Sequence, residues 1–165
     1  MVRVIAFDPA LRCSGVAVFE HGHLVAAYSR RPARRREAAQ GRGAPAWAAV
    51  ADELWRELVA ADCLPHVVVV EQQVVYPHAK ADPNDIVQVA GVAGAVAAVG
   101  ASLGALVVGV DPAAWKGQAP KHVVAARSRE ALSGAELARV EAGATLDAWD
   151  AIGLGLWYLR GASQR

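Results

Sequence analysis

An α/β fold built on a mixed five-stranded sheet is predicted by three features of this sequence. Five short apolar runs read as strands, the first three are joined by short turns, and each of the last two follows a segment with helical character. Turn-linked neighbours pair antiparallel, whereas a strand reached through a helical crossover returns parallel. The sheet therefore joins a three-stranded meander to two parallel strands and carries helices on its faces.

The strands fall at 2–7, 15–20 and 24–28, linked by turns at 9–14 and 21–23. His21-Gly22-His23 is short enough for a hairpin. Segment 29–44 is rich in arginine and contains Pro32, Gly41 and Gly43, so it reads as a loop. In 45–61, Trp47, Val50, Ala51, Leu54, Leu58 and Ala61 recur at helical spacing. Pro65 precedes a strand at 66–71, and 72–82 reads as another loop. An Ala/Gly-rich helix from about 83 to 99 leads to a strand at 105–110. Beyond Pro112, a loop holding Trp115 and Lys116 opens into a helix from about 120 to 131. Ser133-Gly134 breaks it, a short helix follows in 135–141, and the last helix runs from about 145 to 160.

At 165 residues, with 55% hydrophobic and 20% charged residues, the chain suits one folded domain and excludes extensive disorder. Its net charge of +1 conceals an uneven distribution. Arg30, Arg31, Arg34, Arg35, Arg36 and Arg42 crowd one stretch against Glu37 alone, and such a patch can meet an anionic partner. Cys13 and Cys63 form no ligand-spaced pair, which argues against a disulfide framework or a zinc site. The chain opens on a strand without a signal-peptide pattern, so a cytoplasmic location is expected. Residues 86–110 carry no charge and are long enough for a membrane span. Gln88 lies within them, and Gly100, Ser102 and Gly104 interrupt them. The expectation is a buried helix of about 15 residues and a core strand, with no membrane contact.

Four acids stand where chemistry is expected. Asp8 and Glu71 close apolar strands, and Asp147 and Asp150 lie three apart near the start of the last helix. Strand ends of open α/β sheets are where ligand sites gather. Residues three apart share a helix face, so both aspartates can point at the edge where Asp8 emerges. Each acid taken singly reads as a solvated strand-end or first-turn residue. Together they would repel one another unless a cation sat among them. Four oxygen donors suit Mg²⁺ or Mn²⁺, and two such ions can activate water and stabilise a leaving oxygen in phosphodiester cleavage.

Asp8-Pro9-Ala10-Leu11-Arg12-Cys13-Ser14-Gly15 resembles the first-strand motif of the RuvC family of Holliday junction resolvases, within the RNase H-like superfamily. Val70-Glu71-Gln72 resembles its second acidic motif, and Asp147-Ala148-Trp149-Asp150-Ala151 its C-terminal pair of aspartates. The resemblance spans roughly residues 2–159. It implies an RNase H-like fold and a metal-dependent endonuclease that resolves four-way DNA junctions. Paired cuts would leave a 5′-phosphate and a 3′-hydroxyl. Asp8, Glu71, Asp147 and Asp150 would hold two Mg²⁺ or Mn²⁺ ions. Lys121 would assist at the phosphate, Lys116 resembles a second such lysine, and Arg12 could also meet a phosphate. The enzyme would act as a homodimer, with the helix at 83–99 at the interface.

The sequence also departs from that pattern. Ala10 replaces a usual glycine, the segment between Lys116 and Lys121 is shorter, and Val74 replaces an aromatic. Tyr76 is the nearest aromatic and would stack on a base in its stead. Arg30, Arg31, Arg34, Arg35 and Arg36 would add backbone contacts to DNA. The divergence points to a phage-type member serving recombination and repair. Two further readings stand beside it: a broader branched-DNA, flap or RNA nuclease on the same fold, and a non-catalytic DNA-binding protein.

Overall fold

Valine, isoleucine and phenylalanine dominate the runs that form the sheet, and such side chains favour a pleated, buried surface. The computed structural model describes residues 2–31, 46–60, 62, 64–73 and 82–162. Its strands are β1 (Arg3–Asp8), β2 (Ser14–Glu20), β3 (His23–Arg30), β4 (Val67–Glu71) and β5 (Leu106–Val110). They lie in the order β3-β2-β1-β4-β5. β1 pairs antiparallel with β2 and parallel with β4, and β4 pairs parallel with β5. The expected mixed sheet is present.

Six helices accompany the sheet among the described residues. They are α1 (Ala46–Ala60), α2 (Pro83–Ser102), α3 (Pro112–Trp115), α4 (Lys121–Ala131), α5 (Gly134–Leu137) and α6 (Leu146–Ala162). Side chains alternate between the faces of a strand, and the two cores follow from that parity. Ile5, Phe7, Val68 and Val70 face α1 and α2, where Leu54 and Trp55 pack on them. Val4, Ala6, Val67 and Val69 face α6, with Trp149, Ile152 and Leu154. Asp8 shares the parity of Val4 and Ala6, and Glu71 that of Val67 and Val69. Both strand-terminal acids therefore project on the α6 side.

Two expectations need correction. The segment after Pro112 is not all loop, because Asp111 Oδ1 accepts from Ala113 N at 2.7 Å and caps the short helix α3. Pro112 at the first helical position suits that start. The Ala/Gly helix is also longer and barer than expected. It continues to Ser102, and while Val92, Val96 and Gly100 pack toward the sheet, Val87 is 67% exposed. Residues Asn84–Ser102 are long and apolar enough to cross a membrane by length and composition.

A parallel bridge between Ala27 and Val140 fastens the segment after α5 to β3. Ser133 caps α5 through a reciprocal box with Glu136. The Glu136 carboxylate also accepts from Leu24 N at 3.0 Å. These ties fix the approach to α6.

Candidate active site

β1 and β4 are neighbours in parallel register, with Phe7 opposite Val70, so their next residues, Asp8 and Glu71, emerge side by side. The first turn of α6 lies over that edge. Gly15, opposite Asp8 on β2, makes this approach possible, since a Cβ there would collide with the Asp147 backbone carbonyl. Asp8, Glu71 and Asp150 are buried, and Asp147 is partly exposed.

Two lysines bridge the four acids. Lys121, the first residue of α4, places Nζ 2.6 Å from Asp147 Oδ1, 3.1 Å from Asp8 Oδ2 and 3.5 Å from Asp150 Oδ2. Lys116, just past α3, places Nζ 2.7 Å from Glu71 Oε2 and 3.1 Å from Asp150 Oδ2. Trp115 Nε1 donates to the same Glu71 oxygen at 2.9 Å. From sequence Trp115 reads as a loop residue without a role, and this bond gives it one.

A shorter chain of bonds orients Asp147. Thr145 Oγ1 donates to Asp147 Oδ2 at 2.9 Å and accepts from Asp147 N at 3.3 Å. Ser29 Oγ, at the end of β3, lies 2.9 Å from Thr145 Oγ1 and accepts from Thr145 N at 2.9 Å. Cys13 Sγ is 3.5 Å from the same hydroxyl. Thr145, Ser29 and Cys13 carried no sequence signal, apart from the common use of Thr and Ser at helix starts.

Protonation follows from burial and neighbours. Burial pushes the Asp8 carboxyl from 3.8 up to about 7; Lys121 opposes this, while Glu71 and Asp150 add to it. Half-burial works to raise Asp147, but the Lys121 hydrogen bond and charge, with Thr145, hold it below its ordinary value. Burial works to lower both lysines. Asp8 and Asp147 hold Lys121 above its ordinary value, and Glu71 and Asp150 do the same for Lys116.

Among the described residues, no three acidic, His or Cys side chains converge tightly enough to hold a metal ion as they stand. Ammonium groups bridge the oxygens instead. The donor set still fits a hard divalent cation, being four carboxylates that already hold positive charge. Asp150 Oδ1 supports that fit, because it is buried without a hydrogen-bond partner. Such an orphaned carboxyl oxygen is costly unless a donor or cation meets it.

Other expected site residues do not join this cluster. Arg12 is exposed in the turn between β1 and β2, and Arg31 is exposed just past β3. Arg30 pairs with Glu141 at 2.7 Å and stacks 4.3 Å from the Tyr28 ring centroid. Arg34, Arg35, Arg36 and Tyr76 lie outside the described residues.

Scaffold and strand order give the chain an α/β, RNase H-like fold. No protein-family model and no curated protein sequence matches the chain. Solved structures do. RuvC of T. thermophilus in complex with a Holliday junction substrate aligns with a TM-score of 0.71 at 20% identity, over 99% of this chain and 96% of that one. A second Thermus thermophilus RuvC structure gives 0.66 at 20% identity, with the same coverage. The yeast mitochondrial Holliday junction resolvase Ydc2 gives 0.58 at 11% identity, over 99% of this chain and 80% of that one.

Proposed function

We propose that this chain is a metal-dependent endonuclease that resolves four-way DNA junctions. One observation carries the reading: Asp8, Glu71, Asp147 and Asp150 gather at one sheet edge, bridged by Lys116 and Lys121. The end-to-end likeness to RuvC in complex with a Holliday junction substrate supports the choice of DNA form.

Asp8, Glu71, Asp147 and Asp150 would hold two Mg²⁺ or Mn²⁺ ions. When bound, such ions supply an activated water and stabilise the leaving 3′ oxygen, leaving a 5′-phosphate. Buried Asp150 and Glu71 fix the floor of the site. The Lys121 side chain is 45% exposed at its mouth, where its ammonium can bind a phosphate oxygen as a point charge. Lys116 is more enclosed and holds Glu71 and Asp150 in place. Cutting two opposed strands needs two such sites, so we also propose a homodimer. The bare apolar side of α2 supports that helix as the interface.

The test is cleavage of a labelled four-way junction beside matched forked and linear duplexes, with and without Mg²⁺ or Mn²⁺. Paired, metal-dependent cuts confined to the junction are expected. Equal cutting of forks would move the function to a broader branched-DNA nuclease. Absence of cutting on every substrate, with Mg²⁺ and Mn²⁺ present, would overturn the assignment and favour a binding protein or an RNA substrate.

A further inference from the structure

Beside the acidic cluster lies a separate cavity of about 210 Å³, between the α3 segment, α4 and α6. Its walls include Trp115 and Trp157, and Lys116, Arg127 and Arg160 stand around it. Gly153 on α6 lets the Trp115 ring pack closely against that helix and so form one wall. A Cβ there would come 2.9 Å from the Trp115 ring and 3.1 Å from Ser128 Oγ. The cavity is smaller than the usual pocket for a drug-sized ligand of about 300–1,000 Å³, so it has room for one ring system.

Its chemistry is specific. Two indoles offer flat apolar surface, and Trp157 is 39% exposed although it is a large apolar side chain. Arg127 and Arg160 are exposed and have no carboxylate partner among the described residues. A cavity with aromatic walls and unpaired guanidinium groups favours a planar group attached to an anion. Trp115 and Lys116 belong to both places, because each also bonds Glu71. A polymer with one phosphate at the acidic cluster would therefore bring its neighbouring unit to the cavity.

We propose that this cavity is a nucleotide subsite. It takes one unpaired base of the DNA strand beside the phosphate to be cut, stacked against Trp157, with the adjoining phosphates on Arg127 and Arg160. Stacking of this kind tolerates any base, because every base has a flat π-face. The subsite would thus select unpaired character at the branch, not sequence. This inference rests on the nuclease reading of the acidic cluster.

The experiment uses the full chain and two variants, Trp157→Ala and the double variant Arg127→Ala/Arg160→Ala. Neither alters a residue assigned to the cleavage site. Binding of a fluorophore-labelled single-stranded oligodeoxythymidylate is followed by fluorescence anisotropy over a salt series, and junction cleavage is measured in parallel. Trp157→Ala should weaken oligonucleotide binding about ten-fold, in line with the loss of one base stack. The double variant should flatten the dependence of log affinity on log salt by about two charges. On the junction, both should raise KM and leave kcat within about two-fold, as expected when binding common to ground and transition states is lost. Melting curves matching wild type establish that the variants are folded. If folded variants bind the oligonucleotide with wild-type affinity and salt slope, the subsite is wrong. If wild type then still cuts junctions, the nuclease reading survives that failure. If wild type neither cuts nor binds, both readings fall.

Discussion

Gly15 lies directly against the backbone carbonyl of Asp147, leaving no room for even a methyl group between β2 and α6. Because Gly15 pairs with Asp8, this contact sets how closely the last helix approaches that acid. Gly15→Ala would push backbone against backbone, which neither side can relieve by rotating a side chain. Overpacking of this kind costs about 3 kcal/mol. The expected result is a melting temperature lower by about 10 °C and loss of cleavage together. Calorimetry and a junction assay on the same preparation check it; an unchanged Tm would mean that the helix sits further out.

Asp8 ties stability to pH. Its folded carboxyl titrates at about 7 against 3.8 for the free group, chiefly through burial. Between those values the folded state binds the proton more tightly than the unfolded chain, so stability falls as pH rises from about 4 to about 7. Asp8→Asn removes the buried charge. In metal-free buffer the variant should be more stable than wild type at pH 8 and nearly equal at pH 4, while losing cleavage. Thermal melts across that range decide the matter, and a wild-type Tm that climbs through the same window would contradict it.

Thr145 holds Asp147 through its hydroxyl. Its hydroxyl donates to Asp147 Oδ2, and Ser29 holds that hydroxyl in turn. Removing the partner of a metal ligand typically lowers metal affinity 10–100-fold. Thr145→Val should therefore need about ten-fold more Mg²⁺ or Mn²⁺ for half-maximal cleavage and recover most of the rate at saturation. Thr145→Ser should behave like wild type. A loss of rate that excess metal does not restore would place Thr145 in a different role.

The exposed side of α2 makes a prediction about assembly. Val87 is 67% exposed on a helix with little charge. Val87→Glu would bring a carboxylate into any apolar interface formed there, where an unpaired charge is strongly disfavoured. Sedimentation at micromolar concentration should find wild type dimeric and the variant monomeric, both with native melting curves. A dimer that tolerates Val87→Glu would move the interface elsewhere.

The sequence made the acids legible because β1 and β4 are nearly unbroken apolar runs, and a carboxylate closing each is conspicuous. Parity then fixes their side of the sheet, and the three-residue spacing of Asp147 and Asp150 fixes theirs. Lys116 and Trp115 were harder to place. Their partners lie 44 or 45 positions upstream in Glu71, and the helix that aims them has four residues. The cap Asp111 with Pro112 was a readable start signal, yet a single turn carries no apolar period to confirm it. The bareness of α2 escaped for the opposite reason. Alanine, glycine and valine all round the helix give no polar side to distinguish outside from inside. Arg30 read as one of a DNA-contacting group because composition does not reveal Glu141, 111 positions away.

Lys116 and Lys121 act as internal counterions. Two positive charges among four acids leave a formal charge of −2, with Asp8 drawn toward its neutral form by burial. The chain's own side chains thus offset half of the acids' formal charge at this sheet edge, which relieves their mutual repulsion. Any cation entering the cluster would compete with these two ammonium groups for the same carboxylate oxygens.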